Sequence, residues 1–147
     1  MFIKQISVFM ENRPGRLAEI TQVLSDNNID MRAINITDTT DFGILRMIVN
    51  NPKKAVEVLR TNHMTASVTD VLAVSIDDTV GAFSKVIAIL KDHEISIEYI
   101  YSFIGEKSST AVIVIKTSDC ENSVTVLKEG GIAVLSSDDF NDLEYAK

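Results

Sequence analysis

Cysteine is nearly absent. Cys120 stands alone in 147 residues, which excludes an intramolecular disulfide framework and any multi-cysteine zinc site. Basic charge is scarce as well: 14 Lys and Arg stand against 21 Asp and Glu, a net charge of −7 with a sequence pI near 4.7. A nucleic-acid surface needs a dense basic patch to displace phosphate counterions, and anionic lipid attracts only such patches, so neither nucleic acid nor membrane is expected as a partner. No apolar run approaches the length of a membrane-spanning helix. The amino terminus, MFIKQISVFMENRPG, turns apolar at once and shows no basic leader or small-residue cleavage site, so the expected location is the cytoplasm. Catalytic signatures are missing too: there is no Walker loop, G-x-S-x-G, C-x-x-C or H-E-x-x-H. His63 and His93 each follow an expected helix end, where contact with the helix C-terminus is commoner than catalysis. Cys120 falls at a helix start and reads as a packing or capping residue. No enzyme activity, metal or cofactor is expected.

What is present is ordinary globular material, 46% hydrophobic and 24% charged, with a mean hydropathy of +0.15. The charge is uneven. Residues 1–68 carry eight basic side chains against seven acids, a net of +1, and hold every arginine; residues 69–147 carry six lysines against fourteen acids, a net of −8. The same division emerges when the chain is compared with itself at an offset of 66. Ile6, Val8 and Met10 fall on Leu72, Val74 and Ile76; Gly15 falls on Gly81, Leu17 on Phe83, Ile20 on Val86, Leu24 on Leu90 and Ile29 on Ile95. Beyond the middle the offset grows to 68, placing Val56 on Val124 and Leu59 on Leu127, as two extra residues in one turn explain. A duplicated module follows, over 1–68 and 69–138, with an acidic tail over 139–147.

Within each unit the apolar period alternates between two and about 3.6. Segment 2–10 reads as a strand, 14–27 as a helix opened by Pro14 and closed by Asn27 and Asn28, and 29–38 and 44–49 as strands joined by a turn from Thr39 to Gly43. Pro52 opens a helix over 52–61, and a strand follows near 64–68. The second unit repeats the order: strand 70–76, helix 80–92, strands 95–104 and 110–116 around a Ser108-Ser109-Thr110 turn, helix 120–129 ended by Gly130 and Gly131, and strand 132–136. The tail from Asp138 reads as frayed, with Phe140, Leu143 and Tyr145 free to dock. The order βαββαβ, twice, predicts an α+β protein of two tandem ferredoxin-like sandwiches with antiparallel sheets. That fold hosts many functions, so the residues must decide.

The most informative stretch is Asn12-Arg13-Pro14-Gly15-Arg16-Leu17, at the first strand–helix junction. Asn12 suits an N-terminal cap, Pro14 seeds a first turn, and Gly15 permits close approach by a ligand. Open amides at Gly15, Arg16 and Leu17, with the helix dipole, favour a carboxylate. A well-capped helix start without a ligand fits the same residues.

The E-N-R-P-G-x-L stretch following a strand resembles the ACT domain, the regulatory amino-acid-binding module of aspartate kinases, phosphoglycerate dehydrogenase and other enzymes of amino-acid metabolism. The second unit keeps the glycine in Asp77-Asp78-Thr79-Val80-Gly81-Ala82-Phe83. With both units covered, the chain is similar to a stand-alone tandem ACT protein. In the serine-regulated dehydrogenase version the loop asparagine and a polar residue opening the second strand hold the ligand, and by position these are Asn12 and Asp30, with Asp78 and Ser96 in the second unit beside Gly81. The family's histidine two places before the loop asparagine is replaced by Met10, which counts against serine itself. The resemblance implies an amino acid or small carboxylate as ligand, an ammonium contact at Asp30, steering at most from Arg13 and Arg16, and an enzyme of amino-acid metabolism as a partner. Asp30 as a solvated turn acid is the other reading, and Asp77 with Asp78 makes the second junction the poorer carboxylate site. Self-association as a homodimer is expected, with Tyr99, Tyr101 and Phe103 along one strand face as sheet-packing or dimer contacts. The competing expectation is a structural adaptor with ACT-like sheets and vestigial ligand sites.

Overall fold

The computed structural model describes residues 2–38, 41–103 and 110–142. Chain contacts divide it into two compact units, Lys4–Thr69 and Asp70–Lys147 together with Met1–Ile3.

In the first unit, alternating residues build β1 (Ile3–Glu11), β2 (Met31–Asp38) and β3 (Phe42–Val49), and helical stripes build α1 (Arg16–Asp26) and α2 (Pro52–Thr61). The strands expected near 64–68 and 70–76 are a single strand, β4 (Thr65–Asp77), because no residue between them breaks the extended backbone. The strand order is β2-β3-β1-β4, and β3 is antiparallel to both neighbours, with Ile6 opposite Met47 and Ile36 opposite Leu45. Ile6, Val8, Leu45 and Met47 meet Ile20 and Leu24 of α1 and Ala55 and Leu59 of α2 in one core. Burying each large aliphatic side chain stabilises by roughly 1.5–3 kcal/mol, so this face holds the helices to the sheet.

The second unit repeats the plan with α3 (Ala82–Asp92), β5 (Ile97–Ser102), β6 (Thr110–Thr117), α4 (Cys120–Glu129) and β7 (Ala133–Leu135). Its strand order is β5-β6-β4, with β7 on the other side of β4. Leu72, Val74 and Ile115 pack against Val86 and Leu90 of α3 and Val124 and Leu127 of α4. Even the irregularities recur: the register shifts between Met31 and Ala33 in β2, and between Ile97 and Tyr99 in β5, the mark of a β-bulge. Each unit is a ferredoxin-like α+β sandwich.

Three local expectations need correction. Helix α1 begins at Arg16, two residues later than expected, because Gly15 adopts φ 84° and ends the turn holding Pro14. Leu17, counted in the apolar stripe, is 38% exposed, and its counterpart Phe83 is 41% exposed. The tail does not fray at Asp138, since Ser137–Asp142 form a short helix, α5. Ser136 and Asp139 cap it reciprocally, the Ser136 amide donating to Asp139 Oδ2 at 2.9 Å and the Asp139 amide to Ser136 Oγ at 3.1 Å. The amide and hydroxyl of Ser136 hold the Asp139 carboxyl below its usual range. Thr39 and Thr40, Ser108 and Ser109, Leu143 and Tyr145 lie outside the described residues, as does the side chain of Phe140.

Candidate functional site

The β1–α1 junction is fixed by backbone bonds. The Asn12 amide donates to the Asp41 carbonyl at 2.9 Å, the Arg13 amide to Glu11 at 3.0 Å, and the Arg16 amide to Arg13 at 3.3 Å. Gly15, at φ 84°, is the N-cap residue of α1, and no side chain caps the helix, so Asn12 does not take the capping role. The expectation of three open amides is also corrected: that of Arg16 is engaged, while those of Gly15 and Leu17 have no partner among the described residues. A Cβ at Gly15 would meet nothing within 4 Å, so backbone conformation, not crowding, demands glycine there.

Sequence reasoning missed Glu19, which organises the charges at this junction. Its carboxylate accepts from Arg13 Nη1 at 3.2 Å and Nη2 at 3.0 Å and from Arg16 Nη1 at 2.9 Å, while Arg13 Nε lies 3.3 Å from Glu11. The Arg16 side chain is only 17% exposed, so it does not point freely to solvent. Hydrogen bonds from Arg13, then Arg16, lower the Glu19 pKa, and the hydrogen bond to Glu19 raises that of Arg13. The usable signal was Glu19 three residues after Arg16, in the first turn of a helix.

The second junction copies the backbone and not the charges. Gly81 has φ 91°, the Ala82 amide donates to the Thr79 carbonyl at 3.2 Å, and no side chain caps α3. Asp77 and Asp78 are exposed there.

Asp30 and Ser96 open β2 and β5. Within one unit they are not brought to the junctions. Glu11 pairs with Phe42 at one end of β3 and Met31 with Val49 at the other, so Asn12 and Asp30 lie at opposite ends of the sheet. Seven residues of strand separate those ends, about 23 Å at ~3.3 Å per residue. Asp78 and Ser96 are divided likewise, with Asp77 opposite Thr110 and Ile97 opposite Thr117. The Asp30 carboxylate is 3.0 Å from Arg32 Nη2, whose side chain is 8% exposed.

Other candidates fall into structural roles. His93 Nδ1 lies 2.9 Å from the Ile89 carbonyl at the end of α3. Tyr99 and Tyr101 stack with centroids 6.5 Å apart, and Tyr101 is buried. Among the described residues no group of three or more His, Cys, Asp or Glu is placed to hold a metal ion, and no helix is long and apolar enough to cross a membrane.

Two βαββαβ units, each with a left-handed glycine between its first strand and first helix, define a tandem ferredoxin-like protein. The chain belongs to the ACT domain pair family, whose model matches residues 1–144. A solved structure of protein BT0572 from Bacteroides thetaiotaomicron is similar at 40% identity and a TM-score of 0.90, with 96% of each chain covered. The regulatory subunit of aspartate kinase from Thermus thermophilus, in a ligand-free form, shares the fold at 18% identity and a TM-score of 0.63, covering 86% of this chain and 91% of that one. Aspartokinase alpha and beta subunits do so at 19% identity and a TM-score of 0.57, covering 86% and 90%. No curated protein sequence matches the chain.

Proposed function

We propose that the protein is a regulatory small-molecule sensor that binds an amino acid or related carboxylate at the β1–α1 junction. One observation carries this reading: α1 starts without a side-chain cap, and the Gly15 and Leu17 amides beside Asn12 have no partner among the described residues. Unpaired helix-start amides and the helix dipole attract a carboxylate. Asn12 adds a polar side chain at the same group, and Arg13 and Arg16, held by Glu19, contribute local potential. The ammonium of the ligand goes to Asp30. Because one unit holds Asn12 and Asp30 at opposite sheet ends, the Asp30 in question belongs to a second copy of the chain, and the sensor works as a homodimer. Its output is a change in a partner enzyme of amino-acid metabolism, in the cytoplasm.

An assembly adaptor with vestigial sites is favoured by two specific observations, the Arg16 amide already bound to Arg13 and the Asp30 carboxylate already paired with Arg32. A thermal-shift screen of the common amino acids and short carboxylic acids separates the two readings. A sensor gains melting temperature with rising ligand by mass action. An adaptor shows no response across the panel.

A further inference from the structure

A groove runs beside the second helix of each unit. Beside α2 it measures about 840 Å³, with Pro52, Val56 and Val68 in its lining and Lys53, Glu57 and Arg60 along it. Beside α4 it measures about 500 Å³, lined by Phe2, Glu121, Val124, Thr125, Lys128 and Glu129. The offset of 68 that sets Val56 on Val124 also sets Lys53 on Glu121, Arg60 on Lys128 and Thr61 on Glu129. The module therefore presents the same helix face twice, with the charges changed.

Lys53, Val56, Glu57 and Arg60 fall at i, i+3, i+4 and i+7, which puts them on one side of α2. Glu121, Val124, Thr125 and Lys128 have the same spacing on α4. The two valines are buried floor, whereas Val68 is 47% exposed. At the offset of 66 Val68 stands where Phe2 stands in the other groove, and Phe2 packs against its own core. The α2 face carries two cations and one acid, and the α4 face two acids and one cation. Arg60 keeps Nε and Nη2 on the Ala66 carbonyl, at 3.2 and 3.0 Å. The side chains of Lys53, Glu121 and Glu129 make no hydrogen bond or ion pair among the described residues. Their spans also match. Lys53 and Arg60 are separated by about 10.5 Å along the helix and Glu121 and Glu129 by about 12 Å, at ~1.5 Å per residue.

We propose that the α2 groove of one copy of the chain takes the α4 face of a second copy, setting Lys53 and Arg60 against Glu121 and Glu129 and covering Val68. Charge selects this pairing over α4 on α4, which would set glutamate against glutamate. The charge of the halves acts in the same direction, +1 over residues 1–68 and −8 over residues 69–147. One helix laid on another is small beside the ~800 Å² per partner of a standard interface, so the contact is weak and sensitive to salt. It goes beyond the β1–α1 reading, since it uses neither Asn12 nor Asp30 and needs no ligand.

The test is sedimentation equilibrium of the full chain without ligand. Wild type is expected to self-associate below about 0.5 mM in low salt. At about 1 M salt, where the Debye length is about 3 Å, association should be at least tenfold weaker. Lys53→Glu with Thr61→Glu gives α2 the residues of α4, and Glu121→Lys with Glu129→Thr gives α4 those of α2. Each double variant is expected to self-associate more than tenfold more weakly than wild type, because like charges then meet. An equimolar mixture of the two should regain wild-type association, since each variant meets the opposite sign on the other. All four positions are exposed and each takes the residue of the matching place in the other unit, so both variants are expected to fold. Asn12→Ala and Asp30→Ala should associate as wild type does, so failure of the β1–α1 reading is seen separately. A monomeric wild type, variants that associate as tightly as wild type, or a mixture no stronger than its parts overturns the contact.

Discussion

Asp30 and Asn50 hold each other twice across the ends of β2 and β3: the Asn50 amide donates to the Asp30 carbonyl at 3.1 Å, and the Asp30 amide donates to Asn50 Oδ1 at 3.0 Å. Ser96 and Ser118 do the same in the second unit, the Ser118 amide donating at 2.9 Å and Ser118 Oγ accepting at 3.1 Å. Different side chains thus close the same sheet end. The backbone of Asp30 is committed to that closure, which leaves only its carboxylate, shared with Arg32, for any ligand.

Replacing Asn50 with Ala removes the acceptor of the Asp30 amide and is expected to cost about 0.5–1.5 kcal/mol. Ser118→Ala should cost a similar amount for the matching bond. Urea unfolding measures both, and unchanged midpoints would show that water replaces these side chains without loss.

Gly15→Ala and Gly81→Ala force a Cβ onto φ 84° and 91°, with no steric neighbour within 4 Å to confuse the reading. Each is expected to destabilise by about 1–2 kcal/mol from backbone strain alone. Asparagine, which tolerates the left-handed region better, should cost less at either position. Equal costs for Ala and Asn in urea unfolding would place the effect elsewhere.

Glu19 gives a pH dependence of definite sign. Its folded pKa is lowered from the ordinary 4.5, first by the hydrogen bond from Arg13. The unfolded chain therefore binds the proton more readily, and the contribution of Glu19 is full above about that ordinary value and lost as pH falls through the lowered folded value. Glu19→Gln should be less stable than wild type at neutral pH, with the gap closing in acid. Unfolding midpoints at several pH values test this, and a gap independent of pH contradicts it.

Much of the fold was legible because burial repeats with the apolar pattern. Ile20 and Val86, Leu24 and Leu90, and Leu59 and Leu127 are pairs at matching offsets, and every member is at most 1% exposed. The change of offset from 66 to 68 falls between β5 and β6, since Met31 opposite Val49 becomes Ile97 opposite Thr117. Helix starts were less legible, because Pro14 can open a helix but a left-handed Gly15 overrides it. The S-x-x-D capping pattern of Ser136 and Asp139 lies in an acidic tail, where neighbouring carboxylates give the same composition as a solvated end. At the junction, periodicity located Asn12 and Gly15, yet it could not show that Arg16 donates its amide within the loop or that Glu19 gathers both guanidiniums. Those depend on how the turn folds back over the helix, which spacing alone does not encode.

The most direct measurement is a calorimetric titration of wild type, Asn12→Ala and Asp30→Ala with the amino acid that gives the largest thermal shift. Sensing through the β1–α1 junction predicts that each variant loses on the order of 1.5–3 kcal/mol, more than tenfold in affinity, while remaining folded. Wild-type affinity in both variants contradicts it, and would leave the junction as a helix start that binds nothing.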